Sequence, residues 1–419
     1  MFGLKEAELA ELVRAVSDVG DLDREAVAER FARATWSGIA EPGDGAAGIV
    51  VAALGAPRAL AALVDQRSVA DLLPELRGAD LDAGALGAGL ERWRPRVASG
   101  AALLALRQAA RFGARLRIPG DVLWAAGFDE LGRHAPLALW TRGTDAALAS
   151  LSRSIALVGA RAATGYGEHV TMEASAGLVD RGYAIVSGAA YGIDGMAHRA
   201  ALASGGLTVA FLAGGVDRFY PSGHDALLTR IVESGAVVSE LPCGQPPTRW
   251  RFLQRNRLIA ASSLATVVLE AGWRSGSLNT AGHATELGRP VGAVPGPVTS
   301  AASAGCHRLI REFQAVLVTG PDEMAELAPL PPLASAELEP QQAEAVHPSD
   351  GQDGAPRRHA DAETTRLLDA LSSRSARTPS DIAARSGMSI AEVQSLLGRL
   401  ELAGDVAERE RGWVKAGTR

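Results

Sequence analysis

Between residues 154 and 318, short uncharged β-rich runs alternate with helical segments, and this alternation restricts the possible folds more than any other feature. The runs occupy residues 155–158, 184–186, 208–212, 236–238, 266–269, 291–294 and 315–318, and a glycine-bearing loop follows nearly every one. A strand that is apolar along its whole length must be covered on both faces. Such strands, separated by helices, build a parallel sheet with helices on either side, the doubly wound, Rossmann-like α/β architecture. Its crossovers are right-handed, and its ligands bind beyond the carboxyl ends of the strands. The polar loops at those ends are therefore where function is sought.

The flanks read differently. Residues 1–117 are Ala/Leu-rich with apolar positions at helical spacing over 6–19, 23–36 and 90–112, and they predict a helical (SAM-like) accessory domain whose tryptophans anchor a core. Residues 137–140, followed by Thr141-Arg142-Gly143, predict one strand that closes this unit. The α/β core is expected over 118–327. Residues 328–360 carry Pro329, Pro331, Pro332, Pro340, Pro348 and Pro356 among Ala, Glu, Gln and Asp, which predicts a disordered linker. Over 361–419 a helix, a helix-turn-helix and a hairpin predict a winged-helix-like domain.

Composition narrows the function classes. A net charge of −6 excludes a wholesale nucleic-acid coat but leaves room for a local basic groove. In the core, residues 153–326 hold 14 basic and 14 acidic side chains, so any positive field is concentrated rather than pervasive. Cys243 and Cys306, the only cysteines, lack metal-site spacing and point to a reducing cytoplasm. No uncharged run reaches membrane-spanning length, so no membrane association is expected.

Four loops carry the candidate chemistry. The first, from Gly159 through Arg161 to Gly167, lacks G-x-G-x-x-G spacing, and no acidic residue ends the next strand, which argues against a nicotinamide cofactor. It presents Arg161, a planar cation suited to phosphate; pairing with Asp194 is the structural alternative. The second, Ser187-Gly188-Ala189-Ala190-Tyr191-Gly192-Ile193-Asp194, joins a strand to a helix and can hold an anion on backbone N–H groups. Asp194 and His198 lie four apart, on one helical face, which first suggests catalysis. The third has Arg218 at the rim with Phe219 and Tyr220, which either stack on a base or, more in keeping with Tyr220 before Pro221, pack against the next helix.

The fourth loop, 270–280, places Ser275, Ser277 and Thr280 around a helix start, where hydroxyls cap free N–H groups. Before it, Arg249-Trp250-Arg251-Phe252-Leu253-Gln254-Arg255-Asn256-Arg257 interleaves four arginines with two aromatics in a span, 241–269, free of Asp and Glu. Arginine takes phosphate and aromatic faces take bases, so the pattern suits a nucleic-acid strand. A helix starting near Asn256 would set Arg255 and Arg257 beside an N-terminus pointing into the cleft.

Together these motifs resemble the DNA-processing protein A family, also called Smf. The resemblance runs through residues 155–161, 187–198 and 217–221, Arg255-Asn256-Arg257, Glu270 with 275–280, Ala293-Val294-Pro295-Gly296-Pro297, and Gly305-Cys306. Ala160, Leu253, His224 and Asn279 depart from the usual residues. The resemblance implies an extended Rossmann-like domain that binds single-stranded DNA, forms a homodimer and delivers the strand to the RecA recombinase during natural transformation. It implies that Arg161 contacts the strand, that Gly159, Ser187, Gly188 and Gly192 form a backbone floor, and that Arg255 and Arg257 form a basic wall. No catalytic residue, metal or cofactor is expected on this reading. The alternative is a nucleotide-processing enzyme of the phosphoribohydrolase kind with Asp194 or Glu270 as general acid or base, although its Pro-Gly-Gly-x-Gly-Thr element is missing. A third reading, transcriptional regulation through the tail, meets nine basic and nine acidic residues over 361–419, a poor footprint for duplex DNA.

Overall fold

A computed structural model describes residues 5–330 and, with short interruptions, 364–416. The described residues up to 328 form one compact unit, and those from 329 onward a second.

The apolar runs become β3 (Ser154–Gly159), β4 (Ala184–Ser187), β5 (Thr208–Phe211), β6 (Ala236–Ser239), β7 (Ala265–Glu270), β8 (Val291–Ala293) and β9 (Val316–Leu317). All seven pair in parallel with one another, and every residue of β4 to β8 is buried. Two further strands, β1 (Arg115–Arg117) and β2 (Leu139–Gly143), extend the same sheet in antiparallel fashion, giving the order β1-β2-β6-β5-β4-β3-β7-β8-β9. The order runs outward from β3 through β4, β5 and β6, then reverses to β7 on β3's other side. This reversal is a topological switch point, and the crevice beyond β3 and β7 is where a ligand fits.

The strand expected to close the helical unit is β2, and it pairs with β6 instead. Its Trp140 is fully buried and donates its indole N–H to Ser37 Oγ at 3.1 Å. The N-terminal helices therefore share a core with the sheet: Phe31, Trp36 and Trp93 lie in one apolar cluster with Trp140, Ala210, Leu212 and Val237. Trp36 and Trp93 meet edge to face at 5.4 Å. The helix expected over 90–112 is two helices, Ala83–Trp93 and Ser99–Arg111, broken at Arg94-Pro95-Arg96. Proline has no N–H to donate and disfavours continuation of the preceding turn. The break leaves Leu104, expected in the apolar stripe, 56% exposed.

Among the described residues no single helix is long and apolar enough to cross a membrane; the adjoining pair Gly45–Leu54 and Ala56–Val64 is apolar enough together but bends by 109°.

The second unit has the helices Pro379–Ser386 and Ile390–Leu402 followed by a hairpin of β10 (Val406–Arg409) and β11 (Gly412–Lys415). Ser389 and Glu392 cap the longer helix reciprocally. Leu367, Ile382, Val393, Leu396, Leu397 and Leu400 form its core, the last four on one face of the longer helix at the inward positions that its spacing predicts. This is the winged-helix pattern. Most of the expected linker, 331–360, lies outside the described residues, as do parts of the first helix expected within 361–419.

Candidate nucleic-acid interface

The loops after β3, β4, β5 and β7 meet at the switch point, tied together by buried polar side chains. Glu270, the last residue of β7, accepts from the Thr164 N–H at 2.8 Å and from its hydroxyl at 2.6 Å. Thr164 in turn caps the helix Gly165–Asp180 by accepting from Gly167 N–H. Glu270 is thus committed to holding the first loop, a role that its place at a strand end does not reveal. Gly159 lies so close that an added Cβ would sit 2.5 Å from Ile193 Cγ1 and 2.8 Å from the Glu270 carbonyl.

In the second loop Asp194 is 6% exposed and accepts from the N–H groups of Gly188 and Ala190, at 3.2 and 3.4 Å. Burial pushes its carboxyl up, while the charges of Arg255 and Arg161 and the two N–H donors pull it down. Ser187 turns its hydroxyl inward onto the Leu157 carbonyl at 2.6 Å. Asp194 and His198 share a helical face, yet they have separate partners. His198 is fully buried and hydrogen bonds through Nδ1 to Thr208 Oγ1 at 2.7 Å. Because that hydroxyl donates to the Ile185 carbonyl, Nδ1 carries the proton, and Nε2 has no partner. The two carboxylates considered for acid–base work, Asp194 and Glu270, both serve as acceptors that brace loops.

The Arg255-Asn256-Arg257 element needs correction. The helix that carries it is Arg249–Ser262, capped by Thr248, so it starts seven residues before Asn256 and places all three residues mid-helix. Arg255, 6% exposed, donates through Nη1 to the carbonyls of Gly188 at 2.5 Å and Phe211 at 2.6 Å. Burial lowers its pKa to about 10. Asn256 donates to the Gly276 carbonyl at 3.3 Å and to Asn279 Oδ1 at 3.2 Å. Arg257, 3% exposed, donates from Nη2 to both oxygens of Glu240, at 2.6 and 2.7 Å. Burial pushes the Glu240 carboxyl up, against the charge of Arg257. These residues are the posts on which the loops after β4, β5, β6 and β7 hang rather than an exposed basic wall. Arg251 is likewise spent, paired with Glu41 of the N-terminal region at 2.9 Å.

In the fourth loop the helix Ser277–Glu286 has Gly276 at its N-cap, and the hydroxyl that takes a free N–H there is that of Ser275, which accepts from Ser277 N–H at 3.4 Å; Ser275 and Ser277 also bond each other through their hydroxyls at 2.7 Å, and Ser277 and Thr280 are buried.

What remains exposed is a smaller cationic set. Arg161 stands at the carboxyl end of β3 with its guanidinium 5.1 Å from the centre of the Phe252 ring. Arg161, Arg218 and Arg274 are exposed and make no ion pair with the described residues. Tyr220 is 52% exposed and rests on Phe252 at 5.4 Å, so it stands at the rim instead of packing away. Phe219 is half-buried beneath Arg142. Phe252 was legible only as one aromatic of an interleaved run; its place under Arg161 depends on the helix docking across the sheet.

These features define a Rossmann-like α/β protein whose switch-point crevice is rimmed by unpaired arginines and aromatics. Residues 115–329 match the family described as DNA recombination-mediator protein A, and residues 351–410 match the DprA winged helix domain. The chain is 46% identical over 314 residues to the putative DNA processing protein DprA of Mycobacterium tuberculosis, covering 72% of this chain and 77% of that protein. It is 44% identical over 192 residues to the Escherichia coli protein Smf, covering 46% of this chain and 50% of that one. Its fold matches the X-ray structure of DNA processing protein A from Streptococcus pneumoniae with a TM-score of 0.56 and 30% identity, over 71% of this chain and 96% of that chain. The chain belongs to the DNA recombination-mediator protein A (DprA/Smf) family of DNA-processing proteins.

Proposed function

We propose that this chain binds single-stranded DNA in the switch-point crevice without chemically altering it, and hands the strand to the RecA recombinase during natural transformation. It acts as a homodimer in the cytoplasm, a compartment that suits its two free, buried cysteines. The observation that carries the reading is Arg161: an exposed guanidinium over an aromatic ring, in ion-pair contact with no carboxylate among the described residues, at the carboxyl end of the central strand. Arg161 and Arg218 take phosphates, and Gly159, Gly188 and Gly192 keep the backbone close to the strand. Arg255, Asn256 and Arg257 contribute by fixing the loops; Ser187, Ser275, Ser277 and Thr280 line the structure behind them.

The test is a titration of a fluorescent oligo-dT and of the matching duplex at two or more salt concentrations. The single strand is expected to bind more tightly, with log K falling by about 0.7 per decade of salt for each phosphate neutralised. Replacing Arg161 with alanine is expected to weaken binding and flatten that slope by about the same 0.7. A salt-independent affinity, or full affinity in the Arg161→Ala, Arg218→Ala double variant, would overturn the reading.

A further inference from the structure

Tyr191 is the one large side chain of the second loop that faces outward, and it is 49% exposed. Its hydroxyl makes no hydrogen bond to the described residues. The ring is nonetheless held in place. One side meets the imidazole of His224 at 4.9 Å with an interplanar angle of 72°. His224 is itself buried, 3% exposed, and its Nδ1–H donates to the Ala189 carbonyl at 3.1 Å. A Cβ on Gly223 would lie 2.7 Å from the tyrosine hydroxyl, and one on Gly195 would lie 2.5 Å from His224, so both contacts depend on bare backbone.

The main chain on either side of Tyr191 is equally constrained. Ala189 has φ 54°, a left-handed conformation that a residue with a Cβ adopts only when its surroundings impose it. Here those surroundings are His224 on its carbonyl and Asp194 on the neighbouring N–H groups. Gly192 has φ 75°, and an added Cβ there would fall 2.3 Å from the Ala160 carbonyl oxygen and 2.5 Å from that of Arg161. The loop that displays Tyr191 is therefore packed directly on the loop that displays Arg161. A braced, half-exposed aromatic on a loop packed against the one that carries a cation without an ion pair is an arrangement suited to holding a base and its phosphate together.

We infer that Tyr191, braced by His224, is a stacking platform for a DNA base next to the phosphate held by Arg161. The inference rests on the proposed function of the same crevice and adds which group meets the bases. Every base offers a π face, so this contact tolerates any sequence and prefers unpaired strands, whose bases are free to stack.

The experiment compares wild type, Tyr191→Ala, Tyr191→Phe and Arg161→Ala on two probes: an oligo-dT and an abasic strand of equal length with the same phosphates. Thermal unfolding checks that each variant is folded. Tyr191→Ala is expected to weaken oligo-dT binding roughly tenfold, with the salt slope unchanged and the abasic strand unaffected. Tyr191→Phe, which keeps the ring, is expected to bind oligo-dT like wild type. Arg161→Ala is expected to weaken both probes and reduce the slope. Wild-type oligo-dT binding by Tyr191→Ala, or an equal loss on both probes, overturns the platform while an Arg161 effect leaves the site reading intact. Loss of binding in Tyr191→Phe also overturns it, since the hydroxyl rather than the ring would then be the contact. If Arg161→Ala binds both probes as wild type does, the site reading itself fails.

Discussion

His198 is held neutral in the folded protein, and the cost of keeping it so has a definite size. Its imidazole is fully buried, with a hydroxyl partner on Nδ1 and none on Nε2. Burial, helped by the neighbouring charges of Arg255 and Arg199, lowers its pKa from 6.5 to about 3. The sign follows from which state takes up the proton. Below pH 6.5 the unfolded chain binds a proton at this residue and the folded chain does not, so stability present above pH 6.5 is lost as the pH falls toward 3. At pH 5 the loss is ~2 kcal/mol, and it grows by about 1.4 kcal/mol for each further pH unit until the folded imidazole itself titrates. Carboxylates add their own acid dependence, so the measurement is a difference. Urea unfolding midpoints of wild type and His198→Gln are compared from pH 8 down to 4.5. The variant is expected to start less stable and to lose stability with a slope about one proton shallower below pH 6. Parallel curves, or a native imidazole resonance for His198 titrating near 6.5, would refute the reasoning. A histidine with so low a pKa is a neutral imidazole at neutral pH, with no imidazolium proton to give, which removes it from a general-acid role.

The loop posts lead to two more expectations. A Cβ on Gly188 would lie 2.1 Å from Arg255 Nη1, so Gly188→Ala drives a buried cation off the carbonyls of Gly188 and Phe211; a loss of about 3 kcal/mol in urea unfolding, with weakened oligo-dT binding, is expected, and a wild-type midpoint would contradict it. Glu240→Ala leaves Arg257 buried with none of its guanidinium nitrogens paired, because Nε and Nη1 already lack partners; it is expected to cost about 3–5 kcal/mol, and Glu240→Met with Arg257→Met to recover most of that, both read from denaturant midpoints.

The buried cations also explain where residue patterns mislead. Arginines within an acid-free stretch, 241–269, read as an exposed basic surface. Their partners lie elsewhere in the chain: Glu41 and Glu240 for Arg251 and Arg257, backbone carbonyls after β4 and β5 for Arg255. Local charge counting cannot see a carboxylate that the fold brings from 210 residues away. The same holds for Trp140, whose strand sits next to a helical region in sequence but pairs with β6 in space.

The sequence alone determined the α/β core, because strands apolar on both faces and spaced by helices have only one economical way to be covered. It also directed attention to the glycine loops after those strands and to Arg161 among the cations they carry, while the strand order that shows where those loops converge came from the structure. Only the tertiary structure decided which of the remaining charges are free. Docking the helix Arg249–Ser262 across the loops spent Arg251, Arg255 and Arg257 on structure, while Arg161 and Arg218 stay exposed and make no ion pair with the described residues. The physical reason is that a buried charge must be paired or hydrogen-bonded, and those partners come from distant parts of the chain that only folding brings together.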